Sequence, residues 1–317
     1  MKITVLDKCT VTNGDVSLLP LETLGEVKYF DTVPPAEIPA AVGDSEGVIC
    51  NKAKITAEIM DTCPRLKFIG LFATGYNNID TAAARERGIA VCNVPGYSTE
   101  SVAQLVFAFI LRFATSIDKY SASASRGDWT KSETFSYLSY PITELWGKTL
   151  GIFGYGTIGR AVCRIGRAFG MKIIALSHRP MTEEGVEFVT RDELFKRSDY
   201  LTLHCPLTAE TRGLVNRETL ALMKPSAVLI NTSRGGVVEE EPLCEALNSG
   251  AIRGAAVDVL DTEPMRPGHP YLEAKNICIT PHVAWGSIEA RTRLIDVIVD
   301  NIKSFESGGT LNRVERS

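Results

Sequence analysis

The chain has 317 residues, 44% of them hydrophobic and 23% charged, with a formal net charge of -4 at pH 7. That length exceeds one ordinary compact core and predicts two domains, while the composition, free of low-complexity tracts and repeats, is that of a globular protein. Dispersed basic residues and a slight negative charge offer no footprint for a phosphate backbone, which argues against a nucleic-acid partner.

Met1-Lys2-Ile3-Thr4-Val5-Leu6-Asp7 reads as an opening strand, because a carboxylate interrupts the apolar stretch before a secretion-signal core forms. The longest apolar run, Leu105 to Leu111, stops at Arg112 and is too short to span a bilayer. A soluble, cytoplasmic protein with no membrane partner is expected. The eight cysteines, at positions 9, 50, 63, 92, 163, 205, 244 and 278, form no CxxC pair or zinc-like cluster. They read as reduced, buried thiols, and no metal is expected.

In the first hundred residues Ile3 to Asp7, Gly47 to Cys50, Phe68 to Ala73 and Ile89 to Asn93 read as strands, separated by helical stretches such as Thr56 to Cys63. This alternation predicts a parallel sheet covered on both faces. After the turn Val94-Pro95-Gly96-Tyr97-Ser98, a long helix is expected from Thr99 to about Ser121, with Ser98 placed to cap it and Glu100 suiting its positive end. Ala122 to Leu145, rich in Ser, Thr and aromatics, reads either as a segment packed against a second subunit or as an ordinary surface loop.

From Lys148 the alternation restarts, with strands expected at Thr149 to Phe153, Lys172 to Leu176, Tyr200 to His204, Ala227 to Asn231, Ala255 to Val259 and Ile277 to Thr280. About six strands suit a dinucleotide-binding sheet. A last helix, near Ser287 to Ser304, has a place only if it packs back on the first domain. The first domain is therefore read as discontinuous, with the nucleotide domain inserted into it.

Gly154-Tyr155-Gly156-Thr157-Ile158-Gly159 follows one of these strands and opens a helix. The first glycine permits a tight turn, the second lets the backbone approach a pyrophosphate, and the third lets helix and strand pack closely. The helix N-terminus then offers N–H groups to phosphates. NAD-binding versions carry an acid about 20 residues on. Here the next strand ends in Ser177-His178-Arg179, so the carboxylate that would repel a 2'-phosphate is missing and two basic side chains could bind one. This favours NADP over NAD as cofactor. The alternative is that Arg179 is a solvated surface charge and Ser177 merely weakens discrimination.

Hydride transfer to a 2-oxo acid requires a cation for the carboxylate and carbonyl, a proton donor, and a group that keeps the donor protonated. Candidates stand at three strand ends: Arg234 in Asn231-Thr232-Ser233-Arg234-Gly235-Gly236, Glu263 in Asp258-Val259-Leu260-Asp261-Thr262-Glu263-Pro264, and His282 in Thr280-Pro281-His282. In a doubly wound sheet such ends meet at the ligand crevice. Taken alone, His282 also suits a packed or capping histidine, Glu263-Pro264 a surface turn, and Arg234 an exposed loop charge. His204 and His269 lie outside this set.

With these motifs in place, the chain resembles the D-isomer-specific 2-hydroxyacid dehydrogenase family over nearly its whole length. The matching pieces are Gly154 to Gly159, His204-Cys205-Pro206-Leu207-Thr208, Asn231 to Gly235, Asp258 with Glu263-Pro264, and Pro281-His282. The resemblance implies an α/β architecture of two doubly wound parallel sheets. A flavodoxin-like substrate-binding domain of residues 1–98 and 286–317 would receive an inserted NAD(P)-binding Rossmann domain of residues 99–285.

It further implies that Arg234 grips the substrate carboxylate and polarises its carbonyl, and that His282 is the acid in reduction and the base in oxidation. Glu263 would pair with the imidazole and stabilise its protonated form. Asp258 would lie near the nicotinamide, Thr157 and Ile158 at the pyrophosphate turn, and Cys205, Pro206, Thr211, Thr232 and Ser233 along the cofactor crevice. Lys52 and the backbone of Ala73-Thr74-Gly75 fall where the family's substrate loops lie, although Lys52 equally suits a solvated lysine.

Val283-Ala284-Trp285-Gly286 resembles the glycerate dehydrogenase, or hydroxypyruvate reductase, branch, where Trp285 would wall the substrate pocket and leave less room for a phosphate. Glu263 argues against the formate dehydrogenases, whose reaction needs no proton donor. An end at Ser317 without a regulatory domain disfavours the phosphoglycerate dehydrogenases. Corepressors that share the fold and motifs keep open a non-enzymatic, nucleotide-sensing binding module. A homodimer is expected from the resemblance.

Overall fold

The apolar segments form two separate parallel sheets in the computed structural model, which describes residues 1–316. Position 317, the last of the expected first domain, lies outside the described residues. The chain divides into two compact units: Met1–Ser98 with the segment that begins at Trp285, and Thr99–Ala284.

In the first unit β1 (Ile3–Val5), β2 (Val27–Tyr29), β3 (Gly47–Cys50), β4 (Phe68–Leu71) and β5 (Ala90–Cys92) form a sheet of order β2-β1-β3-β4-β5. All pairings are parallel, and the order is the flavodoxin-like one. β1, β3, β4 and β5 are buried along their whole length, which is why they read as largely apolar runs, interrupted in β1 only by the buried Thr4. The edge strand β2 escapes sequence reading because it is half exposed and carries Lys28. The expected helix after β3 spans Ala57–Thr62, and the Thr56 hydroxyl accepts its Ile59 N–H at 3.4 Å. The last helix, Ile288–Glu306, is capped by Ser287 on Ala290 N at 3.2 Å. It buries Ala290, Leu294, Ile295, Ile298 and Ile302 in one core with Ile3, Phe68 and Phe72 of the first sheet.

The second unit carries β6 (Thr149–Phe153), β7 (Lys172–Leu176), β8 (Val186–Phe188), β9 (Tyr200–Leu203), β10 (Val228–Asn231), β11 (Gly254–Val257) and β12 (Ile277–Ile279). Their order is β12-β11-β10-β9-β6-β7-β8 and every pair is parallel. This is the dinucleotide-binding order with a seventh strand, and it reverses direction between β6 and β9. β8 is the strand beyond the expected six, an edge of three residues interrupted by Glu187.

Two expectations need correction. The helix expected from Thr99 to Ser121 is two helices, Thr99–Thr115 and Ile117–Ser125, bent by 61°. The hinge, Ser116, has φ 51° and donates its hydroxyl to Pro141 O at 2.8 Å, so the apolar pattern runs through a point where the backbone turns. The first helix spends its apolar face in the core, burying Ala103, Val106, Phe107, Phe109 and Ile110 alongside Leu150 and Ile152. No single helix among the described residues is long and apolar enough to cross a membrane. All eight cysteines are unpaired, but Cys9 is exposed and Cys278 half-buried. Cys9 lies on a short helical turn, Lys8–Thr10, beyond the end of β1 where the core stops.

Candidate active site

At the switch point, Gly154 leaves β6 with φ 95°, and a Cβ there would come within 2.8 Å of the His204 backbone. A Cβ on Gly159 would meet Gly154 O at 2.3 Å, whereas one on Gly156 would meet nothing within 4 Å. Only the middle glycine therefore opens onto free space, as close approach by a pyrophosphate requires. The helix Thr157–Ala168 starts there with no side-chain cap, leaving its first amides for an anion. Nearby, beyond the end of β10, Thr232 Oγ1 is buried without a hydrogen-bond partner among the described residues. An open glycine cradle and an orphaned hydroxyl at the same edge fit a dinucleotide.

Other crevice candidates serve the loops that carry them. Burial pushes the Cys205 thiol up to about 11, so it stays neutral in the core. Thr211 Oγ1 donates to Pro206 O at 2.6 Å and accepts Thr208 N at 2.8 Å, bracing its own loop. Burial lowers His204 to about 3, and its Nε2 pairs with Thr202 Oγ1 at 2.9 Å. His269 Nδ1 accepts Tyr271 N at 3.2 Å, so its Nε2 carries the proton towards Glu240, 3.0 Å away. After β7, Ser177 Oγ accepts Arg179 N at 3.3 Å, and His178 and Arg179 are exposed.

The neighbouring strands β10, β11 and β12 deliver Arg234, Glu263 and His282 from the same sheet edge. After β10 the buried Asn231 amide binds the turn together, accepting Ser233 N at 3.0 Å and Ser233 Oγ at 2.8 Å and donating to Arg234 O at 2.9 Å. The exposed Arg234 donates Nη1 to Ser233 O at 2.7 Å, and among the described residues no carboxylate pairs with it. Its charge is left for an anionic ligand.

Glu263 Oε2 lies 2.7 Å from His282 Nδ1, and Glu263 Oε1 accepts Leu260 N at 3.0 Å. An ionised carboxylate accepts only, so Nδ1 holds a proton. Behind them Asp258 is 2% exposed and accepts Thr280 Oγ1 at 2.6 Å, Val283 N at 2.9 Å and Ala284 N at 2.9 Å. Burial pushes its carboxyl above the ordinary value, against the pull of these bonds and of the nearby His282.

In the first unit the substrate-loop candidates follow β3 and β4, neighbouring strands of that sheet. The buried Asp7 accepts the amides of Asn51 (2.8 Å), Lys52 (2.7 Å) and Ala53 (2.9 Å), fixing that turn while the Lys52 side chain stays exposed. Asn93 Nδ2 donates to Thr74 O at 2.7 Å, and Val94 N donates to Ala73 O at 2.9 Å, which hold the loop that leads to Gly75. Trp285 sits edge-on to Tyr97, 6.4 Å between ring centroids.

Sequence reasoning missed the supports. Asp7 was visible only as the residue ending an apolar run. Gly235 is the residue at which a Cβ would lie 1.8 Å from Leu260 C, so the Arg234 loop rests on the backbone of the Glu263 loop. No local pattern announces such a contact between two loops.

Comparison with known proteins agrees with this fold. The family described as D-isomer specific 2-hydroxyacid dehydrogenase, NAD binding domain, matches residues 107–284. The chain is 39% identical over 322 residues to a hydroxypyruvate reductase of Blautia hydrogenotrophica, covering 100% of both. It is 40% identical over 290 residues to a glycerate dehydrogenase of Methylorubrum extorquens, covering 91% of each. The structure resembles that of an NADPH-dependent glyoxylate/hydroxypyruvate reductase from Sinorhizobium meliloti in complex with citrate. The TM-score is 0.85 and the identity 31%, over 99% of this chain and 97% of that one. Sheet order, glycine cradle and sequence agreement together establish that the chain belongs to the D-isomer specific 2-hydroxyacid dehydrogenase family of oxidoreductases.

Proposed function

We propose that the protein reduces small 2-oxo acids, hydroxypyruvate and glyoxylate foremost, to the corresponding 2-hydroxy acids, with D configuration at a new stereocentre and NADPH preferred over NADH. The observation that carries this reading is the His282–Glu263 pair at 2.7 Å, on the same sheet edge as an arginine with no acidic partner among the described residues. The names of the relatives from Blautia, Methylorubrum and Sinorhizobium support the substrate class.

When bound, a reduced nicotinamide supplies the hydride that reaches the substrate's carbonyl carbon. Arg234 binds the carboxylate and draws electron density towards the carbonyl oxygen. His282, held through Nδ1, delivers a proton from Nε2 to that oxygen and takes it back in oxidation. Glu263 orients the ring and compensates the imidazolium charge. Gly154, Gly156, Thr157, Ile158 and Gly159 would cradle the pyrophosphate, and the buried Thr232 hydroxyl would have a bond to give along the same crevice. The exposed pair His178 and Arg179, beside Ser177 in place of an acid, supports binding of a 2'-phosphate. In the first unit, Lys52, Ala73, Thr74, Gly75 and Trp285 are the candidates for substrate contact.

The same reading includes a homodimer and a cytoplasmic location. The dimer is supported by the large exposed apolar side chains Trp129, Phe135, Leu138, Ile142 and Trp146 in one segment of the second unit. Eight unpaired thiols suit a reducing compartment. A monomeric sedimentation profile would count against the dimer.

The test of function follows NADPH and NADH absorbance in parallel while hydroxypyruvate, glyoxylate, pyruvate and phosphohydroxypyruvate are offered. The expected result is the highest kcat/KM with NADPH and either hydroxypyruvate or glyoxylate. Equal turnover of phosphohydroxypyruvate would refute the substrate assignment, and cofactor binding without any turnover would favour a nucleotide-sensing module.

A further inference from the structure

Among the described residues, His282 is one of four other than glycine with positive φ, at 55°. A side chain disfavours this left-handed region, and a residue stays there only when its surroundings fix it. Here the surroundings converge on one carboxylate. His282 N donates to the backbone oxygens of Asp258, at 2.7 Å, and Thr280, at 3.0 Å. The next two amides, Val283 N and Ala284 N, point at Asp258 Oδ1 and Oδ2, both at 2.9 Å. Thr280 Oγ1 donates to Oδ1 at 2.6 Å from the other side of the turn. Successive amides beside a left-handed residue form an anion-binding concavity, and here its occupant is the chain's own buried carboxylate. Farther along, Ala284 O accepts Ser101 Oγ at 2.6 Å, tying the end of the turn to the helix Thr99–Thr115.

We propose that Asp258 is a positioning residue for His282: with the Thr280 hydroxyl, its carboxylate locks the 280–284 turn in the backbone conformation that presents the imidazole to Glu263. This rests on the reading of His282 as the proton donor. Among the described residues, the three side-chain hydrogen bonds that Asp258 accepts all come from that turn, two on Oδ1 and one on Oδ2. An amide cannot replace it, because asparagine has one acceptor oxygen and would set its NH2 against an amide N–H of the turn.

The test compares Asp258→Asn, Thr280→Val and Thr280→Ser in the full chain by kcat, KM, NADPH Kd from fluorescence titration, and the ring N–H signals of the histidines in ligand-free protein. The His282 Nδ1–H signal is assigned by its loss in His282→Ala. In Asp258→Asn this signal is expected to shift or broaden, with kcat lower by about 100-fold, the scale of a misplaced catalytic group, and with little change in NADPH Kd. Thr280→Val should show a smaller loss of the same kind, and Thr280→Ser should restore the wild-type values. An unshifted His282 signal in Asp258→Asn overturns the proposal whatever the activity. So does a raised NADPH Kd with kcat preserved at saturating cofactor, which would make Asp258 a cofactor ligand. If Asp258→Asn does not fold, the signal and kcat of Thr280→Val decide by the same criteria. Failure of the wild type to turn over any 2-oxo acid would refute the functional reading, while the ring signal would still decide the clamp.

Discussion

His282 Nδ1 lies 2.7 Å from Glu263 Oε2, and the second oxygen of the same carboxylate accepts the Leu260 amide at 3.0 Å. Glu263 is thus fixed by its own loop before it fixes the imidazole, and the ring keeps its proton on Nδ1. Glu263→Gln preserves size but has one acceptor for two N–H donors. Its kcat should fall by about 100-fold or more, the scale of a general acid–base contribution, with NADPH Kd little changed. Steady-state kinetics beside a binding titration check this.

Gly235 joins the Arg234 and Glu263 loops. An added Cβ would sit 1.8 Å from Leu260 C and 2.2 Å from Asp261 N, backbone atoms that cannot rotate away. Gly235→Ala should destabilise the protein by about 1–3 kcal/mol through overpacking. It should also lower kcat by about tenfold or more, since displacing Leu260 moves the anchor of Glu263. Thermal melts and kinetics measure both, and wild-type kcat in this variant would contradict the coupling.

Much of this was legible in the sequence. Strands buried on both faces, such as Gly47–Cys50 and Val228–Asn231, carry their own signature. The glycine fingerprint and the Arg, Glu and His at strand ends point to chemistry without coordinates. The edge strands Val27–Tyr29 and Val186–Phe188 were hidden because half-exposed edges tolerate Lys28 and Glu187. The break at Ser116 was hidden because its cause, a bond to Pro141 O, lies 25 residues away. Asp258 read as a cofactor neighbour, and its bonds to residues 280–284 emerge only when β11 and β12 stand side by side.

The proposed preference for NADPH is tested at Ser177. A carboxylate there would face a 2'-phosphate with like charge and offer an acceptor to a ribose hydroxyl. Ser177→Asp should shift kcat/KM from NADPH towards NADH by about tenfold, equivalent to ~1.4 kcal/mol. Arg179→Ala should weaken NADPH more than NADH. Parallel titrations with both cofactors read the change, and an unaltered ratio in both variants would mean that these side chains do not meet the 2'-position.

Acid stability has a local source in the first unit. Arg291 donates to Asp15 Oδ1 at 2.8 Å and to Oδ2 at 2.6 Å, and this pairing lowers the Asp15 carboxyl to about 2. A native value below the unfolded one means that the pair stabilises above pH 4 and that this contribution is lost as pH falls towards about 2. Asp15→Asn should therefore melt slightly below wild type at pH 7, the gap being small because the Asp15 carboxylate is exposed and screened. The two melting curves should converge below about pH 2, under both the native and the unfolded values. A gap that persists there would assign the effect to packing instead of charge.

The central claim is that His282 carries the proton. His282→Ala, assayed with NADPH and hydroxypyruvate beside an NADPH binding titration, tests it most directly. The account predicts a loss of kcat of at least about 100-fold, within the range for removal of a general acid, with NADPH affinity retained. Turnover near wild type in a folded His282→Ala protein would contradict it.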